Sequence, residues 1–294
     1  MKTTLAQMGN SSSQYFKAFG VAPGKVGKTC WFVASILGAL PEQKYGLVDK
    51  PEHLHLLGFD EAFADGLASF LTKDCKKGPE YLNIDVRPLT EVCRKASLGD
   101  GWNMSVSSAV LKEFQEIKAE IVKGGTHAVL ISSLTGMALA IEAGLAGAPD
   151  PSKKGAGMDM AKWGAFAHQL NHLRNIIQSD THHTFWEGHI TKTMAAKEEE
   201  REETVSISGK VGQNWGFNVE HVWRIQREMV KYPGTTVDKV YIDTKPTLAF
   251  VSGGRGGNML NPKEYDLVAV AEKLGKKVGG YGKKEAAAQP ATSG

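Results

Sequence analysis

Residues 22–29, Ala22-Pro23-Gly24-Lys25-Val26-Gly27-Lys28-Thr29, decide how the rest of this 294-residue chain is read. They fit the phosphate-loop (Walker A) pattern in the form that accepts Ala or Gly at its first position; the strict form would carry Gly at position 22. Such a loop holds an anion by turning consecutive backbone N–H groups onto it, and the glycines at 24 and 27 permit that turn and the close approach. The helix that follows adds its positive N-terminal end. Lys28 is then expected to contact β- and γ-phosphates and the Thr29 hydroxyl to ligate magnesium, with Pro23, Gly24, Lys25, Val26, Gly27 and Cys30 completing the contact set. The competing reading is a Gly-rich turn with a surface lysine. It does not account for the flanks: apolar Tyr15–Val21 leads in as a strand, and Thr29–Leu40 leads out with helical spacing before Pro41.

Outward from the loop, strand and helix patterns alternate. His53–Phe59 reads as a buried strand, Ala62–Leu71 as a helix, and Tyr81–Val86 as a strand. Ser105–Lys123 is amphipathic through Val110, Leu111, Phe114, Ile117 and Ile121. His127–Ile131 has the continuous apolar character of a central parallel strand and runs into Ser132-Ser133, with helix expected over Leu134–Leu145. Met158–Gln178 aligns Trp163, Phe166, Leu170, Leu173 and Ile177, and His183–Trp186 is the next short strand. Val219–Ile225, Val237–Ile242 and Leu248–Val251 read as strands of an antiparallel extension. This alternation predicts an α/β fold, a mostly parallel sheet flanked by helices, with ligands outside the carboxyl ends of its strands. The chain divides into an arm at residues 1–14, a core at 15–272 and a tail at 273–294. The stretch Lys276–Gly294, rich in Gly, Lys and Ala, is expected to be disordered. The charge run Lys197–Glu203 reads as a solvated helix or loop.

Composition sets the outer limits. With 41% hydrophobic and 23% charged residues the chain is an ordinary globular sequence, and a net charge of +3 permits a nucleic-acid partner without requiring one. Cys30, Cys75 and Cys93 are few and lie in no metal-ligand spacing, so reduced thiols and a cytoplasmic setting are expected, without structural zinc. No run of eighteen apolar residues and no leader-like start occurs, so no membrane association is expected.

A phosphate loop specifies a nucleotide, not a reaction. Hydrolysis needs a carboxylate for the metal's water shell and a group to orient water. The strand ending at Ser132 is where the first would sit, yet it carries Ser132-Ser133. Asp60 and Glu61, after the His53–Phe59 strand, are the available acids; should that strand neighbour the loop strand, either can activate water or hold metal. A surface acidic pair is the alternative.

The order Pro-Gly-Lys-Val-Gly-Lys-Thr, Gly-Phe-Asp-Glu, Val-Leu-Ile-Ser-Ser-Leu-Thr-Gly, a long helix and then Phe-Trp-Glu-Gly-His resembles the core of RecA-type recombinase ATPases over about residues 15–270. It is most similar to the compact bacteriophage members, the Sak-type single-strand-annealing ATPases and their AAA-family relatives. The resemblance implies a RecA-like core that binds ATP with Mg2+, assembles as a ring or filament and acts on single-stranded DNA, with a single-strand-binding protein as a further partner and the host cytoplasm as its place. Family members usually show Ile-Asp-Ser-Leu where this chain has Ile131-Ser132-Ser133-Leu134, which leaves turnover open. By position, Glu61 resembles the family's catalytic glutamate, with Asp60 close enough to exchange roles, and His189 falls at the polar sensor. Gly147–Gly157 and Gly188–Gly209 fall where the mobile DNA-contacting loops lie, and Lys153, Lys154 and Lys192 are their candidate phosphate contacts. Arg255, in Ser252-Gly253-Gly254-Arg255-Gly256-Gly257, is the candidate arginine reaching a neighbouring subunit's γ-phosphate.

Other constellations do not assemble. His168 and His172 are four apart, but position 169 is Gln rather than the Glu of a zinc hydrolase, and His182, His183 and His189 lack partner ligands. Trp186, Trp215 and Trp223 have base stacking and core packing as alternatives. Three functions stay open: an ATP-dependent recombination or annealing protein, a nucleotide-binding assembly protein with weak or lost ATPase activity, and a small-molecule kinase, the last without any separate acceptor lid.

Overall fold

The computed structural model describes residues 13–24, 26–59, 63–91, 106–146, 158–192, 203–207, 215, 219–232, 235–244, 253–254 and 260–283. Strand β1 (Lys17–Ala22) runs into the phosphate loop and helix α1 (Lys28–Leu37). There follow β2 (Leu54–Gly58), α2 (Phe63–Ser69), β3 (Asp85–Pro88), α3 (Val106–Val122), β4 (Ala128–Ser132), α4 (Leu134–Ala146), α5 (Met160–Ile177) and β5 (His183–Lys192). The chain continues through β6 (Glu203–Val205), β7 (His221–Tyr232), β8 (Thr235–Asp243), β9 (Gly253–Gly254), β10 (Lys263–Glu264) and α6 (Leu267–Lys273).

Among the described residues these strands form one sheet in the order β10-β8-β7-β1-β5-β4-β2-β3, with β6 paired to β5 and β9 to β7. From β7 through β1, β5, β4 and β2 to β3 every pairing is parallel. The β7–β8 and β8–β10 pairs are antiparallel. The α/β class and the antiparallel C-terminal extension expected from the sequence are both observed. Residues of β1, β2 and β4 are buried on both faces, as a parallel sheet covered on two sides requires. One face packs Phe16, Leu56, Leu130, Phe185 and Trp223 against Phe32, Ile36 and Leu37 of α1, Leu67 of α2 and Val270 of α6. The other packs Phe19, Leu57, Val129, Ile131 and Trp186 against Phe114 and Ile117 of α3, Met137 and Ile141 of α4, and Phe166 and Leu173 of α5. Each such fully buried side chain contributes roughly 1.5–3 kcal/mol to the two cores that flank the sheet.

Local chemistry sets several boundaries differently from the periodicity. Helix α1 stops at Leu37, not Leu40, because Gly38 adopts φ 68° and its N–H closes the last turn on Ala34 and Ser35. A Cβ at 38 would lie 2.3 Å from the backbone of Tyr45. The expected strand Tyr81–Val86 is a 3-10 turn at Pro79–Leu82 followed by β3, since Pro79 favours a helical first turn. The expected strand His183–Trp186 runs on to Lys192. Gly188–Gly209 is therefore not one mobile loop: residues 188–192 belong to β5, and Ile190–Lys192 pair antiparallel with β6. Within the expected tail, residues 276–283 are held in place. Gly279, Gly280 and Tyr281 donate to Leu47, Gly46 and Val48, Gly46 donates back to Tyr281, and Lys276 pairs with Glu220 at 2.9 Å. This strap lies edge-on against residues 46–48, which periodicity cannot register. The remaining tail, residues 284–294, lies outside the described residues, as do Leu248–Val251 and most of Lys197–Glu203.

Candidate functional site

β1 delivers the chain to the loop at Ala22, and Gly27 makes the final turn in the left-handed region with φ 79° and ψ 26°, a conformation that strains any side chain bearing Cβ. Its carbonyl accepts the N–H of Trp31 at 3.0 Å, which starts α1. A Cβ built on Gly24 or Gly27 meets no atom within 4 Å, so at these two positions the loop leaves space beside its backbone. Lys28, the first residue of α1, is buried with 6% of its surface exposed. Its Nζ stands 3.4 Å from Nδ1 of His189. A buried lysine at the head of a helix that follows a glycine loop is not the surface lysine of an ordinary turn. Lys25 lies outside the described residues.

Thr29 is the centre of the polar cluster. Its hydroxyl donates to Oε2 of Glu187 at 2.8 Å, and its Oγ1 lies 3.0 Å from Oγ of Ser132. Having given its one proton to the carboxylate, Thr29 accepts from Ser132. The sheet explains the meeting. Glu187 is paired with Gly20 and His189 with Ala22 on the adjacent loop strand. Successive side chains of a strand face opposite ways, so Phe185, Glu187 and His189 share the α1 face while Trp186 packs on the other. Gly20 has no side chain to obstruct α1: a Cβ there would lie 2.6 Å from the Phe32 ring. Cys30 sits alongside, its thiol pushed up by burial and then by the Glu187 carboxylate. His189 is also held by its backbone N–H, which donates to the Thr135 hydroxyl at 3.1 Å.

The residues expected to meet at the site divide accordingly. Lys28, Thr29, Ser132 and His189 are brought together. The condition placed on Asp60 and Glu61 is not met: β2 is separated from β1 by β4 and β5, and the two acids lie outside the described residues. Lys153, Lys154 and Arg255 also lie outside them, while Lys192 is the last residue of β5. Trp186, Trp215 and Trp223 are core residues, each exposed by 1% or less, which removes them as base-stacking platforms. His168 and His172 are exposed on α5. Among the described residues no cluster of three His, Cys, Asp or Glu side chains forms a metal centre. The oxygen set of Thr29, Ser132 and Glu187 nevertheless has the hard-donor chemistry of a magnesium site that is completed by phosphates and water. Glu187 is the residue that sequence reasoning missed. Its clue was present in the two-residue alternation of Phe185, Glu187 and His189, read one strand away from the phosphate loop.

No helix among the described residues is long and apolar enough to cross a membrane. No protein-family model matches the chain, and no curated protein is significantly similar to it. Among solved structures, the chain is similar to an ATPase from the type III secretion system of pathogenic bacteria at 12% identity and TM-score 0.43, covering 72% of this chain and 52% of that one. It is also similar to a KaiC-like protein of Pyrococcus horikoshii at 15% identity and TM-score 0.39, covering 77% of each chain. The chain thus spans about half the length of the secretion ATPase. Likeness this distant carries no argument of its own, and the α/β phosphate-loop architecture stands on the strand order and loop geometry described above.

Proposed function

We propose that this protein is a RecA-like P-loop ATPase that binds ATP with Mg2+, self-associates, and acts on single-stranded DNA in recombination or strand annealing. The observation that carries the nucleotide reading is a buried Lys28 directly after a glycine loop, next to a Thr29 hydroxyl tied to a carboxylate. The loop N–H groups and the start of α1 cradle the phosphates, and Lys28 contributes the charge directed at the β- and γ-phosphates. Mg2+, bound with the nucleotide, supplies charge neutralisation across the phosphate oxygens. Thr29 offers it a hydroxyl, and the Lys28–His189 contact supports reading His189 as the sensor of whether Lys28 is engaged by a γ-phosphate. Although β2 does not neighbour the loop strand, motif order alone keeps Asp60 or Glu61 as our candidate for orienting water, and Arg255 for completing the site of a neighbouring subunit. The DNA function and the ring or filament rest on the resemblance of motif order in the sequence, with Lys153, Lys154 and Lys192 as the phosphate contacts.

ATP binding and hydrolysis measured with and without single-stranded DNA test this reading. Hydrolysis accelerated by DNA supports it. Tight nucleotide binding with neither turnover nor DNA affinity favours a nucleotide-dependent assembly protein, and no nucleotide binding under any condition removes the phosphate-loop assignment itself.

A further inference from the structure

We propose that Glu187 on β5 is the carboxylate that orders the water shell of the nucleotide's Mg2+, taking over the role of an acid at the end of β4; this rests on the nucleotide reading above. At the end of β4 stands Ser132, whose hydroxyl reaches Thr29 at 3.0 Å but carries no charge. Glu187 reaches the same Thr29 oxygen at 2.8 Å from the adjoining strand. Strands β4 and β5 are in parallel register at Ile131 and Trp186, so Ser132 and Glu187 occupy the next step on both strands and point to the same face. Only one acid fits there. Two carboxylates converging on a single hydroxyl would repel and drive one of them to protonate. A small neutral side chain at 132 and a longer acid at 187 thus form a matched pair that keeps one negative charge at the magnesium-binding hydroxyl.

Burial confines the carboxylate to this cluster. Glu187 is 1% exposed and meets the site through the Thr29 hydroxyl. A divalent cation held by Thr29 and the phosphates would stand beside it. The competing role is purely structural, with Glu187 anchoring the first turn of α1 through Thr29. That role would make substitution weaken nucleotide binding equally with and without metal.

The experiment measures the ATP dissociation constant in EDTA and in Mg2+ for wild type, Glu187→Gln, Glu187→Asp and the double variant Ser132→Asp with Glu187→Gln. A parallel Mn2+ titration is followed by electron paramagnetic resonance on the ATP-loaded protein. We expect Glu187→Gln to keep the EDTA affinity while its Mn2+ affinity and its Mg2+ enhancement of ATP binding fall about 10- to 100-fold, the range usual for an outer-shell group. The double variant, with its acid moved back to β4, should regain much of that loss. Glu187→Asp, which keeps the charge and is the variant least disruptive to folding, should show a smaller but measurable loss. Unchanged metal affinity in Glu187→Gln or Glu187→Asp overturns the proposal, as does an equal loss in EDTA and Mg2+. Failure of wild type to bind ATP in either condition instead rejects the nucleotide reading on which it rests.

Discussion

The ammonium of Lys28 stands 3.4 Å from Nδ1 of His189, two residues along β5 from Glu187. An ammonium has only protons to give, so in a hydrogen bond between the two the imidazole nitrogen accepts. On the proposed nucleotide reading, an arriving γ-phosphate would compete with the histidine for Lys28. His189→Ala is therefore expected to leave ADP binding nearly intact and to shift the ATP-to-ADP affinity ratio by about fivefold, the worth of about one hydrogen bond. Titration of both nucleotides gives the ratio, and an unchanged value removes His189 from the sensor role.

Lys28→Ala tests the loop itself. The backbone cradle survives, but the charge aimed at the phosphates is gone, and losing one or two charge-assisted hydrogen bonds predicts ATP binding weaker by about 100-fold or more. Calorimetric titration at constant Mg2+ reads this directly. Near-normal affinity would sink the phosphate-loop assignment.

Acid should destabilise the fold through its buried histidines. Burial lowers His127 to about 4, His182 to about 4 and His183 to about 3. His183 is locked neutral by accepting the Phe16 N–H at 3.0 Å, and His182 lies 3.0 Å from the Ile177 carbonyl. With folded values below the unfolded value of about 6.5, the unfolded chain takes up these protons first as pH falls. Stability is therefore full above about pH 6.5 and declines from there towards pH 4. Between pH 7 and pH 5 the melting temperature should drop on the order of 10 °C. A flat profile would contradict the burial of these rings.

Gly38→Ala should cost at least about 2 kcal/mol. The residue needs a left-handed backbone, and the new Cβ would meet the Tyr45 backbone at 2.3 Å. Gly24→Ala, whose Cβ meets nothing within 4 Å, should leave stability almost unchanged. Urea denaturation of the pair separates a packing requirement from a ligand-binding one.

If Lys153 and Lys154 line the DNA path, their joint replacement by Ala should weaken single-stranded DNA binding uniformly across sequences. It should also flatten the salt dependence by about two released counterions, with ATP binding retained. Titrations at several salt concentrations, on proteins in the same assembly state, supply the slopes. Equal slopes exclude these lysines from the DNA path.

Local sequence was sufficient for whatever depends on local conformation. The glycines at 24 and 27 ahead of Lys28 and Thr29 name a loop whose geometry is dictated within eight residues, and the apolar runs Leu54–Gly58 and Ala128–Ser132 announce buried parallel strands by composition alone. Where a boundary depends on a distant contact, periodicity misleads. Position 38 admits only glycine because the chain returns at Tyr45 and Gly46, and residues 279–281 are held by main-chain bonds to residues 46–48. The site shows the same division. Lys28 and Thr29 were legible from their own neighbours, whereas Glu187 lies 158 positions from Thr29 and acquires its meaning only from strand order. Its distance from the loop along the chain is bridged by parallel pairing of β1 with β5, which fixes Gly20 opposite Glu187 and turns that carboxylate onto α1. Sequence alone determined that a glycine-lysine-threonine loop stands between a buried strand and a helix; only the sheet, by placing β5 rather than β2 beside the loop, decided which acid stands at the Thr29 hydroxyl.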